Sequence, residues 1–321
     1  MAKFSEVYGL LRYVGKRLLQ LIPVLIAVSI IIFGMIRISP VDPVAVILGG
    51  KQTTPEVIAN IRARYHLDQP IPNQYVLWVT GVVRGDFGQG YQYKQSVTSL
   101  IRSRLPVTLG LVAISFCIML LVSIPLGVLS AIRRNTWLDR ILSVLSLILV
   151  SAPVYLICIL MIMIIARIAP AVAFTGSFSN FSEFLQRMLL PSLALSFSMI
   201  ALTMRVTRSS MISQLQSHYA LTAVSKGLPY RLVVFKHAFK NAIIPVITII
   251  SIQVGTMIVG AVLVENVFSL PGVGSLLIDS IKASDYPIVQ GITLLLVSVF
   301  LIISMLVDIV YALIDPKIRL N

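Results

Sequence analysis

Residues 107–132, VTLGLVAISFCIMLLVSIPLGVLSAI, form an apolar stretch without a charged side chain, and Arg133 and Arg134 follow it directly. A helix needs about 20 predominantly apolar residues to cross the hydrocarbon core of a bilayer. The stretch exceeds that length, so it predicts a membrane-spanning helix.

Five more apolar stretches approach or exceed the same length. They cover about residues 18–38, 141–166, 189–204, 242–264 and 288–314. The third of these five is the least regular, because it carries several serine and threonine residues and runs into Arg205. Six spans predict an all-α, polytopic membrane protein with a single transmembrane domain over residues 1–321.

The composition supports the same class. Hydrophobic residues make up 57% of the chain and charged residues only 12%, whereas a soluble domain usually carries about 25% charged residues. A soluble enzyme and an intrinsically disordered chain are both excluded by this deficit.

The charge pattern indicates the orientation in the membrane. Lys and Arg outnumber Asp and Glu by 26 to 12. Cytoplasmic loops of membrane proteins collect Lys and Arg, so the excess needs no nucleic acid as a partner. Cations cluster before the first span, after the second, between the fourth and fifth, and after the last at Lys317 and Arg319. We therefore expect both termini in the cytoplasm, residues 1–17 as a cytoplasmic N-terminal segment, residues 39–105 as an external loop and residues 207–241 inside.

The external segment is too long to be a simple connector. Residues 54–65, TPEVIANIRARY, predict a short helix with Thr54 as N-cap and Pro55 in its first turn. A turn at residues 66–70 leads into the largely apolar stretch 73–83. We expect a small helical cap on the external face.

The internal segment predicts two helices joined by a glycine turn. Met211, Leu215 and Ala220 begin a pattern of near-helical spacing, Gly227 interrupts it, and a second helix starts after Pro229. Such a basic hairpin fits two structures equally well. One is a helix that a separate motor protein grips, with the small Ala223 allowing close approach, and the other is an amphipathic helix lying on anionic lipid.

No residue pattern predicts catalysis, a cofactor site or a metal site. The nearest approach to a phosphate-binding loop, at residues 49–52, lacks both the upstream glycine and the hydroxyl residue. No His-Glu-x-x-His motif or Cys/His cluster is present, and the two cysteines, Cys117 and Cys158, lie in apolar runs where they are expected only to pack. We expect a protein that is not itself an enzyme.

Ion-coupled carriers usually hold charged residues at mid-membrane depth. Here the span centres are almost free of charge, and only Asp308, near the cytoplasmic end of its span, and Glu265, at an external end, approach that role. Packing or interfacial positions are the simpler interpretation of both. An ion-coupled secondary carrier stays open as an alternative, but the pattern favours energy supplied by another subunit.

Two kinds of motif decide between these alternatives. Residues 219–228, YALTAVSKGL, with 236–245, KHAFKNAIIP, resemble the cytoplasmic loop of ABC-importer permeases, more narrowly the dipeptide/oligopeptide/nickel permease family. Residues 65–70 (YHLDQP), 85–88 (GDFG) and 265–274 (ENVFSLPGVG) resemble that family's external motifs in the same order. The likeness covers nearly the whole chain.

The resemblance implies two sets of functional residues. The implied ATPase-coupling loop consists of Tyr219, Ala220, Leu221, Thr222, Ala223, Lys226, Gly227 and Leu228. The implied external-loop motif consists of Asp68, Pro70, Gly85, Asp86, Gly88, Glu265, Pro271, Gly272 and Gly274. Leu221 departs from the family, which usually has a polar or charged residue there, and Thr222 stands where alanine is common.

The resemblance also implies partners and a mechanism. The chain would be a multi-pass permease of a bacterial cell membrane, inner or plasma, and would pair with a second, similar permease subunit in a lipid bilayer. Two ABC ATPase subunits would bind the coupling loop, and an extracytoplasmic substrate-binding protein would deliver a di- or oligopeptide. Nickel chelates, glutathione or another small solute are alternative substrates within the family. Transport would follow alternating access, with ATP binding closing the ATPases.

Overall fold

The structure is a computed structural model and describes residues 2–38, 41–49, 51–168 and 180–314. The predicted boundary residue Ser39 and the C-terminal cations Lys317 and Arg319 lie outside the described residues. The side chain of Asp308 is likewise not described, although its backbone belongs to the last helix.

The described residues form helices joined by turns, with a single isolated bridge between Gln89 and Ser96 instead of a sheet. In chain order the helices are α1 (Ala2–Ile38), α2 (Pro43–Leu48), α3 (Pro55–Arg64), α4 (Ile71–Val83), α5 (Val97–Ile132), α6 (Trp137–Ser151), α7 (Val154–Ile168), α8 (Phe181–Leu215), α9 (His218–Ser225), α10 (Tyr230–Leu232), α11 (Phe239–Val267), α12 (Val273–Lys282) and α13 (Tyr286–Ile314). A π-helical turn, Val233–Ala238, joins α10 to α11. The all-α prediction is therefore confirmed.

Five helical segments within the described residues are long and apolar enough to cross a membrane. They are Arg17–Ile38, Val97–Ile132, Phe181–Leu215, Tyr230–Val267 and Tyr286–Val307. A sixth span results if α6 and α7 are counted together, although these helices are bent by 108° to each other. The stretch 141–166 is thus a broken segment, whereas the apolar pattern alone suggested a continuous one.

The break between α6 and α7 follows from Pro153. A proline disfavours helical backbone at the residue before it, and Ala152 accordingly adopts extended angles, φ −79° and ψ 126°. Helix α7 restarts directly after the proline, and the Ile157 amide donates to the Pro153 carbonyl. A continuous apolar run therefore folds as two helices.

Several helices are longer than their apolar stretches suggested, and α5 and α8 are two examples. Helix α5 begins at Val97, well before Pro106, and α8 begins at Phe181. Three of the four hydroxyl residues in the stretch 189–204, namely Ser192, Ser196 and Thr203, are fully buried in α8. They pack inward, so their polarity does not shorten the helix.

The described chain divides into two compact units. One is built on Leu109–Leu270 together with residues 302–314, and the other on Gly15–Thr108 and Pro271–Leu301. The single transmembrane domain over residues 1–321 stays a prediction.

The first unit packs α6, α7 and α11 against α8. At Gly127, the absence of a side chain allows α5 to approach α8 closely. A Cβ at this position would lie 2.6 Å from Thr207 Cβ and 2.8 Å from the Met204 carbonyl oxygen. Many apolar side chains of α6 and α7 are exposed, including Ile141, Ile148 and Met163. Exposed apolar surface of this kind suits contact with lipid or with another membrane subunit.

The second unit contains the helical cap, defined as residues 41–49 and 51–96. Thr54 and Pro55 begin α3 as predicted, although the Thr54 side chain makes no capping hydrogen bond. The core joins the start of α5 to α12 and α13. Its buried residues are Val97, Leu100, Ile101, Val273, Leu276, Ile288 and Ile292.

Candidate functional site

The predicted coupling residues lie on one short loop of the first unit. Helix α8 ends at Leu215, and a break at Gln216 and Ser217 precedes α9. We call residues 216–229 the α9 loop. The helix–glycine–helix pattern predicted for 207–241 is present, with the first helix divided at this break.

Gly227 ends α9 through a specific hydrogen-bonding pattern. Its φ is +78°, its amide donates to the Val224 carbonyl at 2.9 Å, and the Leu228 amide donates to the Ala223 carbonyl at 3.3 Å. These two bonds form a Schellman motif, which places a left-handed residue directly after the helix. The left-handed angle explains why a glycine stands at this position.

The inner face of α9 is buried against the returning chain. Ala220, Ala223 and Val233 form a small buried cluster, and Leu228 packs against it. We expected Ala223 to let a partner approach closely, but its side chain is only 8% exposed. Its small size serves the packing of the loop on itself, because a larger side chain would separate α9 from the π-helical turn.

The outer face of α9 is open. Tyr219, Leu221 and Val224 are 39%, 54% and 51% exposed, and Thr222 and Lys226 are exposed beside them. Leu221 therefore contributes apolar surface where the resembled family usually has a polar side chain. The exposed surface of α9 thus combines apolar and hydroxyl side chains, and the cation Lys226 follows at its end.

The Tyr219 hydroxyl connects α9 to both of its neighbours. It donates to the Gln214 side-chain oxygen at 2.7 Å in the last turn of α8. It also accepts a hydrogen bond from the Asn241 amide nitrogen at 3.0 Å in α11. The hydroxyl thus ties α9 to the ends of two long helices.

Beneath the loop, a buried cluster joins the ends of α5, α8 and α11. Its buried members are Val128, Ala131, Met211, Val234, Ala238 and Ala242. The Ser210 hydroxyl adds a bond between α8 and α11 by donating to the Ala242 carbonyl at 2.8 Å. The α9 loop thus stands on a packed base.

An ion pair beside this base was not among the predicted site residues. The Arg208 Nε and Nη2 atoms of α8 donate to the two carboxylate oxygens of Asp139 in α6, at 2.6 and 2.8 Å. Ser130 Oγ, at the end of α5, also donates to Asp139 at 2.5 Å, and the Asn135 amide donates at 2.9 Å. The only sequence signal was an aspartate near the start of a largely apolar helix, which does not reveal its partner.

The predicted external motif forms two turns in the second unit. Gly85 and Gly88 have φ values of +81° and +89°, and the Asp86 carboxylate accepts from the Gly88 amide at 2.9 Å. Thr98 ties this turn to α5, since its hydroxyl donates to the Gly85 carbonyl at 2.8 Å and accepts from the Phe87 amide at 3.3 Å.

Asp285 holds the following turn. Its buried carboxylate accepts hydrogen bonds from the amides of Tyr91, Gln92 and Tyr93 at 2.9, 2.8 and 3.4 Å. A Cβ on Gly90 would lie 2.9 Å from Ile288 Cδ1, so a glycine is needed where this turn meets α13. The sequence alone does not reveal these partners of Asp285, because they lie almost 200 residues earlier in the chain.

The remaining motif residues have simpler positions. Pro70 precedes α4 and its carbonyl accepts from the Gln74 amide, while Asp68 is exposed in the preceding turn. Gly272 is the N-cap of α12, with Pro271 before it and the buried Gly274 inside the helix. Glu265 is fully buried at the end of α11 and belongs to the other compact unit.

The second unit also contains a cavity of about 390 Å³ between α1, the cap and the start of α13. Two arginines, Arg37 and Arg64, line it together with the aromatic residues Phe33, Tyr65, Trp78, Phe87 and Tyr91. Burial raises the pKa of Tyr91 to about 12, so its hydroxyl stays protonated at neutral pH. In the described part of the chain, no group of three or more His, Cys, Asp or Glu side chains is arranged to hold a metal ion.

The comparison with known families agrees with this arrangement of helices and loops. Residues 123–320 match the binding-protein-dependent transport system inner membrane component, and residues 10–112 match the N-terminal part of the membrane component of the same systems. The chain belongs to this family. The permease is thus the membrane subunit of an ABC importer and is not itself catalytic.

Several bacterial permeases are similar over nearly their whole length. A probable peptide ABC transporter permease protein of Sinorhizobium fredii is 38% identical over 310 residues, covering 96% of this chain and 99% of its own. A glutathione transport system permease protein of Salmonella typhimurium is 36% identical, covering 97% and 99%. A dipeptide transport system permease protein of Alkalihalophilus pseudofirmus is 32% identical, covering 97% and 100%.

Proposed function

We propose that this permease is one of two membrane subunits of an importer for short peptides, and that separate ATPase subunits drive it through the α9 loop. The observation that carries the proposal is the construction of that loop. Its inner face is packed, its outer face is open, and it is tied to α8 and α11 through Tyr219. Such a loop receives force from a partner and passes it to long helices.

The relatives support peptides as the substrate class. The names of the three permeases above refer to peptides, glutathione and dipeptides, and glutathione is itself a tripeptide. Nickel chelates and other small solutes are the alternatives. The substrate-binding protein does much of the selection in such systems, so the permease need not recognise every side chain.

In the proposed mechanism, ATP binding closes the two ATPase subunits and draws the coupling loops of the two permeases together. The α9 loop moves with its packed base, and the cluster under it carries the displacement into α5, α8 and α11. A ligand or nucleotide can shift this equilibrium only through contacts that differ between the two states. The exposed residues Tyr219, Leu221 and Val224 are placed to supply such contacts.

The first test is purification of the tagged chain from its native host in a mild detergent, followed by mass spectrometry of its partners. We expect a second permease and ATPases in stoichiometric amounts. The purified complex is then placed in proteoliposomes with its binding protein, and uptake of a labelled dipeptide is measured with and without ATP.

Two results would overturn the proposal. A homo-oligomer reproducibly free of ATPases would remove the motor from the scheme. Uptake that needs an ion gradient but not ATP would favour a secondary carrier, and replacement of Glu265 and Asp308 would then be the next experiment. Competition by unlabelled glutathione or by a nickel chelate decides between the substrates.

A further inference from the structure

The cavity in the second unit contains an arginine whose charge is not matched. Arg37 lines it from the end of α1, and the ion pairs among the described residues join other arginines, namely Arg62, Arg187 and Arg208. Its Nε atom is buried without a hydrogen-bond partner among the described residues, and its guanidinium carbon lies 5.1 Å from the centroid of the Phe33 ring. A half-buried guanidinium with an unused donor is suited to bind an anionic group.

Two more polar atoms in the cavity wall also lack partners. Gln74 is 92% buried, since 8% of it is exposed; its amide nitrogen donates to the Gln69 carbonyl at 2.7 Å, but its oxygen is unpaired. The Trp78 indole nitrogen is buried and unpaired as well. The cavity wall therefore holds two unused donors, on Arg37 and Trp78, and one unused acceptor, on Gln74.

These atoms match the carboxyl end of a peptide. A terminal carboxylate accepts hydrogen bonds and is best bound by a guanidinium, while the last peptide N–H needs an acceptor such as the Gln74 oxygen. Asp86 also lines the cavity and has the charge that the amino end of a short peptide requires. The volume of about 390 Å³ falls in the range of small-molecule sites.

We propose that this cavity binds the C-terminal carboxylate of a short peptide, and that the Arg37 guanidinium donates hydrogen bonds to that carboxylate. The choice of a peptide, rather than another carboxylate, rests on the proposed function. The aromatic walls supply apolar surface for side chains of varied size, which suits a substrate class that differs mainly in its side chains.

The test uses tryptophan fluorescence of the full-length chain purified in detergent. The chain contains two tryptophans, and Trp137 is 76% exposed on α6, so Trp137→Phe leaves Trp78 as the reporter at the cavity. Dialanine is titrated as the probe, and dialanine amide, which has no terminal carboxylate, is the matched ligand control. We expect a saturable change with dialanine and binding at least about tenfold weaker with the amide, equivalent to about 1.4 kcal/mol.

Three arginine variants test the role of Arg37 directly. Arg37→Gln should weaken dialanine binding by at least about tenfold, whereas Arg62→Gln, at an exposed arginine that pairs with Asp42, should leave it unchanged. Arg37→Lys keeps the positive charge and should bind dialanine with intermediate affinity. That result would show that the weaker binding by Arg37→Gln comes from the lost guanidinium and not from misfolding.

Several results would overturn the proposal. These are no saturable change with dialanine, equal affinity for the amide, or unchanged affinity in Arg37→Gln. A response to the isolated binding protein alone, without one to dialanine, would make the cavity a protein-docking surface instead. Because ATP-dependent uptake is measured separately, uptake without dialanine binding rejects only this site, and binding without uptake rejects only the proposed function.

Discussion

At the scale of single residues, Gly227 is the position where backbone conformation limits the choice of amino acid. Its left-handed φ of +78° and the two bonds of the Schellman motif set the direction in which the chain leaves α9. No neighbouring atom lies within 4 Å of a Cβ placed there, so the constraint is conformational and not steric.

We predict that Gly227→Val leaves membrane insertion intact but uncouples ATP hydrolysis from uptake. A left-handed angle costs an L-residue roughly 1–2 kcal/mol, and a β-branched one is especially disfavoured. Gly227→Asn is the matched control, because asparagine tolerates this region. Normal uptake and normal stimulation of the ATPases in the valine variant would contradict the assignment of the α9 loop to coupling.

Tyr219 gives a second prediction at this scale. Tyr219→Phe keeps the ring on the outer face but removes the hydroxyl that joins Gln214 to Asn241. We expect ATPase binding to persist while uptake per ATP hydrolysed falls several-fold. Tyr230→Phe is the control, since that tyrosine lies nearby, is 52% exposed, and its hydroxyl makes no hydrogen bond with described residues. Equal coupling in the two variants would show that the bridge is not used.

At the scale of helices, the Asp139–Arg208 pair holds three elements together. Asp139 belongs to α6 and Arg208 to α8, and Ser130 brings the end of α5 to the same carboxylate. The Asp139 side chain is only 4% exposed, so the carboxylate depends on these partners for its solvation. The pair therefore locks the helices that form the base of the α9 loop.

We predict that Asp139→Asn destabilises the protein by about 1–3 kcal/mol, because it removes charge-assisted hydrogen bonds to an arginine that keeps partial access to solvent. Thermal unfolding of the purified chain measures the loss. Arg205→Gln, which removes an exposed arginine one turn earlier on α8, should change little. Combining Asp139→Leu with Arg208→Met should recover part of the stability, and failure to do so would argue against the pair as the cause.

At the scale of the whole molecule, orientation in the membrane is the property that decides which partner meets which surface. The excess of Lys and Arg predicts the α9 loop inside and the cap outside. Cysteine labelling tests this in a chain with Cys117 and Cys158 replaced by alanine. Gln52, Gln89 and Ser225 are exposed and suitable for single cysteines.

We predict that a membrane-impermeant thiol reagent labels cysteines at residues 52 and 89 only from outside, and a cysteine at residue 225 only from the cytoplasm. Intact cells and inverted vesicles supply the two orientations. If a cysteine at residue 52 were labelled in inverted vesicles but not in intact cells, the predicted topology would be wrong. The cap would then face the ATPases and the α9 loop would face the binding protein.

The helices and the turns between them could be predicted from the amino-acid sequence, because the signals are local. Apolar length marked the spans, Thr54 and Pro55 marked the start of α3, and Gly227 marked the end of α9. The 108° bend between α6 and α7 was not predicted, because Pro153 lies within a continuous apolar run that resembles a single span.

The tertiary structure alone decided which side chains meet. Asp139 lies 69 residues before Arg208, and Asp285 lies 194 residues after Tyr91. Likewise, the small size of Ala223 suggested close approach of a partner, and only the structure shows that this side chain is buried against its own loop. The length and spacing of apolar residues indicate that a segment is helical and lies in the lipid or in the protein core, because these properties depend on residues close together in the sequence. It does not specify the partner of a buried charge or the lining of a cavity, because these depend on how helices distant in sequence pack together.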